Sequence, residues 1–246
     1  MRAFLEADKL SVRYGEEKIL DGLSFRVERG EFAAVIGPSG CGKSTLLNVL
    51  AGLLPAAEGT VRLDGEEIRG LSPRFAYMPQ DDLLMPWKTV LDNVCLYGSV
   101  HGGKRAMRGE AEARLRAFGL SGCAGAYPRE LSGGMRQRAA FLRTSLCPAE
   151  VLLLDEPFAA LDVITRWEMQ DWLRDMRRSL PATTLLVTHD VDEALYLAER
   201  ILILSGRPAR VLRELRVPDS RRDRDWLLGQ EGRKREIIEA LRGAAG

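Results

Sequence analysis

The stretch Gly37-Pro38-Ser39-Gly40-Cys41-Gly42-Lys43-Ser44-Thr45 restricts the possible folds more than any other part of this chain. It matches G-x-x-x-x-G-K-[ST] and lies between an apolar run, Phe32 to Ile36, and a helical pattern of Leu46, Leu47, Val49, Leu50 and Leu53. A strand ending at Ile36 delivers the backbone to a loop whose glycines leave N–H groups free to surround phosphate oxygens. The positive end of the following helix dipole points at the same place. Lys43 then reaches the β- and γ-phosphates, and the Ser44 hydroxyl is placed to ligate magnesium. An ordinary glycine-rich βα turn has no use for the lysine, the hydroxyl and the flanks together. The stretch points to a bound nucleoside triphosphate.

The chain is long enough, at 246 residues, for one sizeable domain with a subdomain. A net charge of +1 gives no global argument for nucleic acid. No apolar run approaches the roughly 20 residues that span a bilayer. The start, Met1 to Glu6, carries no apolar core of a signal peptide. Cys41, Cys95, Cys123 and Cys147 lack metal-ligand spacing and read as reduced thiols of a cytosolic protein.

Ahead of the phosphate loop, Leu10, Val12 and Tyr14 alternate, Gly15-Glu16-Glu17 turns the chain, and Leu23, Phe25 and Val27 alternate again. Tyr14 either packs at the strand edge or stacks on a base. Beyond the helix, Gly59 to Gly65 reads as strand and turn. Phe75 to Met78 reads as a strand stopped by Pro79, with Gln80 just beyond. From about 84 to 148 the pattern becomes helical, with a break at His101-Gly102-Gly103-Lys104 and a charged amphipathic helix from Glu110 to Phe118. Trp87 and Tyr97 there serve either a partner or local packing.

Leu131-Ser132-Gly133-Gly134-Met135 opens a helix running through Cys147, with Ser132 as its N-cap. This is a second anion-binding helix start in one chain. Val151 to Leu154 is an apolar run of a buried parallel strand, and it ends in Asp155 and Glu156. Asp155 is placed to help hold magnesium, and Glu156 to polarise an attacking water. Ala159 to Asp162 precedes a long helix to about Leu180, with Ile164, Trp167, Leu173 and Met176 on its apolar side. Thr183 to Val187 is another buried strand, and His189 follows it at the sheet edge where open α/β folds bind ligands. The tail has a strand at Ile201 to Leu204, a turn at Ser205 to Pro208, and an amphipathic helix with Trp226, Leu227, Ile237, Ile238 and Leu241. That helix reads as docked on the body rather than lying on a membrane.

Taken in order, these motifs resemble those of an ABC transporter ATP-binding subunit along nearly the whole chain. The resemblance implies an α/β P-loop fold with a mainly parallel sheet, an N-terminal antiparallel β subdomain and a helical subdomain. It makes residues 1–246 one ATPase domain, with the helical subdomain at about 84–148 and a C-terminal helical extension at about 219–246. It assigns Tyr14 to the adenine, Gly37 to Thr45 to the phosphates, and Gln80, Ser44 and Asp155 to Mg2+. Asp162 belongs to the D-loop, Glu156 is the general base, and His189 and Lys43 assist at the γ-phosphate. Ser132, Gly133 and Gly134 meet the nucleotide of a second ATP-binding subunit in a sandwich, with two identical copies sufficing.

The segments Met78 to Trp87 and Leu131 to Arg138 are similar to those of nitrate, sulfonate and taurine importers, a group that also serves thiamine-precursor pyrimidines. Met135 departs from the wider family's usual glutamine, and Ala159 from a frequent serine. The implied function is ATP-driven uptake of a small solute. Its implied partners are integral membrane permease subunits and, indirectly, an extracytoplasmic solute-binding protein, with the chain peripheral on the cytoplasmic face and no nucleic acid bound. A non-transport ABC ATPase on nucleic acid or the ribosome is the alternative, but the coiled coils, zinc modules and tandem halves usual there are missing from the sequence. A P-loop kinase leaves Leu131 to Met135 without a purpose.

Overall fold

The computed structural model describes residues 3–176, 182–217 and 222–243. Strands β1 (Ala3–Tyr14) and β2 (Glu17–Glu28) form an antiparallel hairpin, closed by Gly15 and Glu16. On β2 the alternation has the expected cause, Leu23, Phe25 and Val27 being buried while Ser24 and Arg26 face outward. On β1 Leu10 and Val12 are buried, but so is Ser11 between them, which accepts from Gly22 N at 3.1 Å. β4 (Glu58–Leu63) and β5 (Glu66–Ile68) extend this sheet in the order β2-β1-β4-β5.

The second sheet contains β3 (Phe32–Ile36), β6 (Phe75–Met78), β7 (Val151–Asp155), β8 (Thr183–Thr188), β9 (Arg200–Leu204) and β10 (Val211–Arg216). Its order is β10-β9-β3-β8-β7-β6, and every pair is parallel except β10 on β9. Every residue of β3, β7, β8 and β9 is buried, which explains why these strands read as apolar runs rather than alternations. Ala33, Val35, Leu153 and Leu185 pack toward the first sheet and α1 (Lys43–Leu50), whereas Ala34, Ile36, Leu154 and Leu186 pack toward the helices on the other face. With β3 central, the loops after β3, β7 and β8 converge on one edge.

Between β6 and β7 lie α2 (Val90–Val94), α3 (Leu96–His101), α4 (Lys104–Leu115) and α5 (Gly133–Ser145). α6 (Val163–Met176) and α7 (Val191–Leu197) flank β8. Phe118 and Phe141 meet Trp172 of α6 at ring separations of 4.0 and 5.2 Å, tying this helical segment to the sheet's helical face.

Several boundaries differ from the sequence reading. The expected Glu110–Phe118 helix is α4, shifted toward the N-terminus so that it starts directly after the glycine pair. α5 stops at Ser145 rather than Cys147. Leu53 lies past the end of α1 and is exposed, because Gly52 turns the chain at φ 73°. On α6, Ile164 and Trp167 are exposed, and the buried face is carried by Met169 and Leu173. Leu180 and the side chain of Met176 lie outside the described residues.

The single C-terminal helix is two, α8 (Arg224–Leu228) and α9 (Glu231–Gly243). Both dock, Leu227 and Ile237 being buried while Ile238 is partly exposed. Lys234 pairs with Asp192 of α7 at 2.8 Å. β10 was not expected at all. It is a mostly exposed edge strand, and its arginines and glutamate hide the signal of an apolar alternation.

Candidate active site

Three strand ends and one loop build a cavity of about 480 Å3. The loop after β3 contributes Ser39, Gly40, Gly42, Lys43, Ser44 and Thr45; β6 contributes Gln80, β7 Glu156 and β8 His189. Arg207, from the turn after β9, completes the lining. Gly42 sits at φ 116°, and a Cβ there would come within 2.9 Å of the Ile19 side chain, so only glycine lets the loop fold this tightly. The Lys43 side chain is almost wholly buried and donates to the Gly37 and Pro38 carbonyls at 2.9 and 3.0 Å. Its charge is thereby held at the centre of the loop. Cys41 is buried beneath the loop, and burial pushes its thiol pKa up. It packs; it does not react.

Asp155 ends β7 as a buried carboxylate. Burial raises its pKa, while the neighbouring Ser44 and Tyr77 hydroxyls pull it back. Tyr77 donates to its Oδ2 at 3.3 Å, and its Oδ1 has no hydrogen-bond partner. Glu156 follows at φ 45°, a left-handed conformation for a non-glycine residue that swings its side chain into the cavity. Its Oε2 accepts from His189 Nδ1 at 3.0 Å. Because a carboxylate can only accept, Nδ1 carries the proton in this arrangement.

Other predicted residues lie elsewhere. Tyr14, at the end of β1, is about half exposed and does not line the cavity. Ser132 caps α5 by accepting from Met135 N at 3.2 Å, and with Gly133 and Gly134 it stands apart from the cavity. Asp162 caps the start of α6, accepting from Thr165 N at 3.1 Å, and that bond lowers its pKa. A Cβ on Gly134 would touch Leu161 and Thr165 at 3.4 Å, so the α5 and α6 starts lie side by side. Arg207 was missed. The usable signal was positional: β9 runs parallel to β3 and beside it, so the turn after β9 had to reach the phosphate loop.

The model of the ABC transporter family matches residues 20–159, from β2 through the strand-end carboxylates. The chain belongs to the ABC transporter family. An aliphatic sulfonates import ATP-binding protein of Burkholderia cenocepacia is 45% identical over 214 residues, covering 85% of this chain and 78% of that protein. A counterpart from Pseudomonas aeruginosa is 42% identical over 233 residues, covering 91% of each. Among solved structures, this ABC ATPase resembles a dimeric ATP-binding cassette in a post-hydrolysis state bound to ADP and Pi. The TM-score is 0.77 at 28% identity, over 87% of this chain and 98% of that one. As a member of this family, the chain binds and hydrolyses ATP.

A magnesium site is also tested by the geometry. The described residues contain no cluster of three or more histidine, cysteine or acidic side chains, so an all-protein cage is not built here. The unpaired, buried Asp155 Oδ1 beside the Ser44 hydroxyl is instead what a hard cation shared with phosphate oxygens requires. The residues fit the ion.

Proposed function

We propose that this ABC ATPase powers the uptake of a small organic sulfonate or related solute through separate permease subunits. The observation that carries this is identity of 42 to 45% with sulfonate-import ATP-binding proteins, extending over 78 to 91% of their length. Among the described residues no helix is long and apolar enough to cross a membrane, so the conduit is assigned to other chains. The chain acts as a peripheral subunit on the cytoplasmic face, as one ATPase unit in which residues 84–148 form the helical subdomain.

The chemistry follows from the groups present. The amides of Ser39 to Thr45 and the Lys43 ammonium hold the phosphates, and Tyr14 takes the adenine. Ser44, Asp155 and Gln80 would hold Mg2+, which would supply positive charge to the phosphates. Glu156 lies at the cavity wall and orients the attacking water, accepting its proton. His189, hydrogen-bonded to Glu156, keeps that carboxylate aimed and offers its other ring nitrogen to the γ-phosphate. A phosphate oxygen accepts, so that contact requires either the imidazolium or a release from Glu156.

The Lys43 cavity and the capped helix start Ser132-Gly133-Gly134 stand apart within one chain. A head-to-tail pair of identical chains brings the helix start of each to the cavity of the other. Pulling out the tagged chain from detergent-solubilised membranes of its source tests the reading, with growth on an aliphatic sulfonate as sole sulfur source scored in parallel. A co-purifying multi-span permease and a growth defect on deletion are expected. Recovery with nucleic acid or ribosomal proteins alone would overturn it.

A further inference from the structure

Arg207 lines the cavity, yet the phosphate-loop chemistry above gives its guanidinium no task. Its Nε and Nη2 donate to the Gly40 carbonyl at 3.1 and 2.6 Å, and its Nη1 pairs with Glu17 Oε1 at 2.7 Å. Gly40 belongs to the phosphate loop. Glu17 belongs to the hairpin and stands directly opposite Tyr14 in the β1–β2 register, so both side chains project from the same face of that hairpin. A single guanidinium therefore joins the element that holds phosphates to the element that carries the aromatic ring. The arginine suits this because its donors lie in a rigid plane and serve two acceptors at once.

The turn that presents Arg207 is itself anchored. Ser205 Oγ donates to the Pro208 carbonyl at 3.0 Å and accepts from Arg210 N at 2.9 Å. Ala209 N donates to the Ile19 carbonyl at 2.8 Å, and Asp21 N donates to the Ala209 carbonyl at 3.1 Å. Arg210 also pairs with Asp21, as does Lys18. The base of Arg207 is thus stitched to β2, and only the hairpin tip beyond it depends on the guanidinium.

We infer that Arg207 is a positioning residue that latches the Tyr14-bearing hairpin to the phosphate loop through Glu17 and Gly40, setting the distance between base and phosphate subsites for the nucleotide. This rests on the nucleotide reading of the cavity and is independent of which solute is transported. The latch contributes only when a ligand uses both subsites. A ligand made of phosphates alone engages the loop and ignores the hairpin.

Calorimetric titration of the full chain with ATP and with inorganic tripolyphosphate, each with magnesium, tests this on wild type, Glu17→Ala, Arg207→Ala and the double variant. Glu17 is largely exposed, so its removal leaves the fold and the Arg207–Gly40 contact in place. Glu17→Ala should weaken ATP by about fivefold, the upper scale of one solvent-exposed ion pair, and leave tripolyphosphate unchanged. Arg207→Ala should weaken ATP at least as much, and the double variant should match it, because both remove one link. Glu17→Ala that weakens tripolyphosphate in step with ATP, or that leaves ATP binding intact, overturns the latch. Wild-type protein that binds tripolyphosphate but not ATP overturns the nucleotide reading beneath it.

Discussion

The phosphate-loop face and the α5 face both present backbone N–H groups at a helix start, yet they are built in opposite ways. At the first, Lys43 is 6% exposed and Asp155 2%, and parallel strands wall the loop from both sides. At the second, Ser132 is exposed, the two glycines behind it are only half-buried, and the cap bond to Met135 N is the local satisfaction of an ordinary helix N-terminus. The first is a cavity that pre-organises charge; the second is an exposed helix start, which the pairing of chains proposed above would turn into a site. Under that proposal the chain on its own has one half built and one half completed only by its partner.

Removing Glu156 should have the largest effect. Glu156→Gln keeps the cavity's shape but cannot take a proton, so ATP turnover should fall by about 10²–10⁴-fold while ATP affinity is retained. Turnover by single-cycle phosphate release checks this, and light scattering with ATP should then report a stable pair of chains. A persistent monomer in that experiment would break the comparison, since the walled half would be sufficient alone. Ser132→Arg attacks the other face. It should lower turnover by about 10²-fold with ATP affinity of the isolated chain unchanged. Mixing it with Glu156→Gln protein should restore part of the turnover, because one mixed site keeps both working halves.

A smaller effect is expected where the faces are mechanically joined. Arg143 of α5 donates to the Leu83 and Asp82 carbonyls at 2.8 and 2.7 Å, and Arg136 donates to the Asp82 carboxylate at 3.0 Å. These arginines hold the segment just after Gln80 against the helix that starts at Ser132. Arg143→Ala should cost about 2 kcal/mol in urea unfolding, because it leaves two carbonyls without a charged donor. Its loss of turnover should be well below that of Ser132→Arg. An equal loss would mean that the α5 face is held open or closed chiefly through this segment.

The legibility of these regions in the sequence follows from the same contrast. β3, β7 and β8 announce themselves as apolar runs because both of their faces are covered, and the residues that end them were therefore placeable on one edge. The helical segment was harder. α4 is amphipathic over a range that periodicity alone slides by several residues, and its start is set by Gly103 at φ 85° rather than by any side-chain pattern. Ile164 and Trp167 have apolar side chains at helical spacing but lie on the outer face of α6, where Trp167 sits against the Arg224 guanidinium instead of the core. Arg207 was invisible because an arginine before a proline reads as a turn. Only the pairing of β9 with β3, a long-range fact, brings it to Gly40.

The smallest effect on activity, and the sharpest on pH, belongs to the walled face alone. Glu193 of α7 is buried behind the His189 loop and accepts from Thr188 Oγ1 at 2.6 Å. Burial pushes its pKa up to about 7; Thr188 pulls it down, Asp190 pushes it up, and Arg166 and His189 pull it down. An acid raised in the folded state holds its proton there after the unfolded chain has lost it. Folding stability must then decline as pH rises from the ordinary carboxylate range near 4.5 toward 7, by up to ~3 kcal/mol in the limit of the full shift. Glu193→Gln keeps a neutral acceptor for Thr188 and removes the proton linkage. The variant should match wild type in urea unfolding at pH 5 and exceed it at pH 8. A parallel decline in both proteins would place the linkage elsewhere on that face, with the buried Asp155 as the next group to replace.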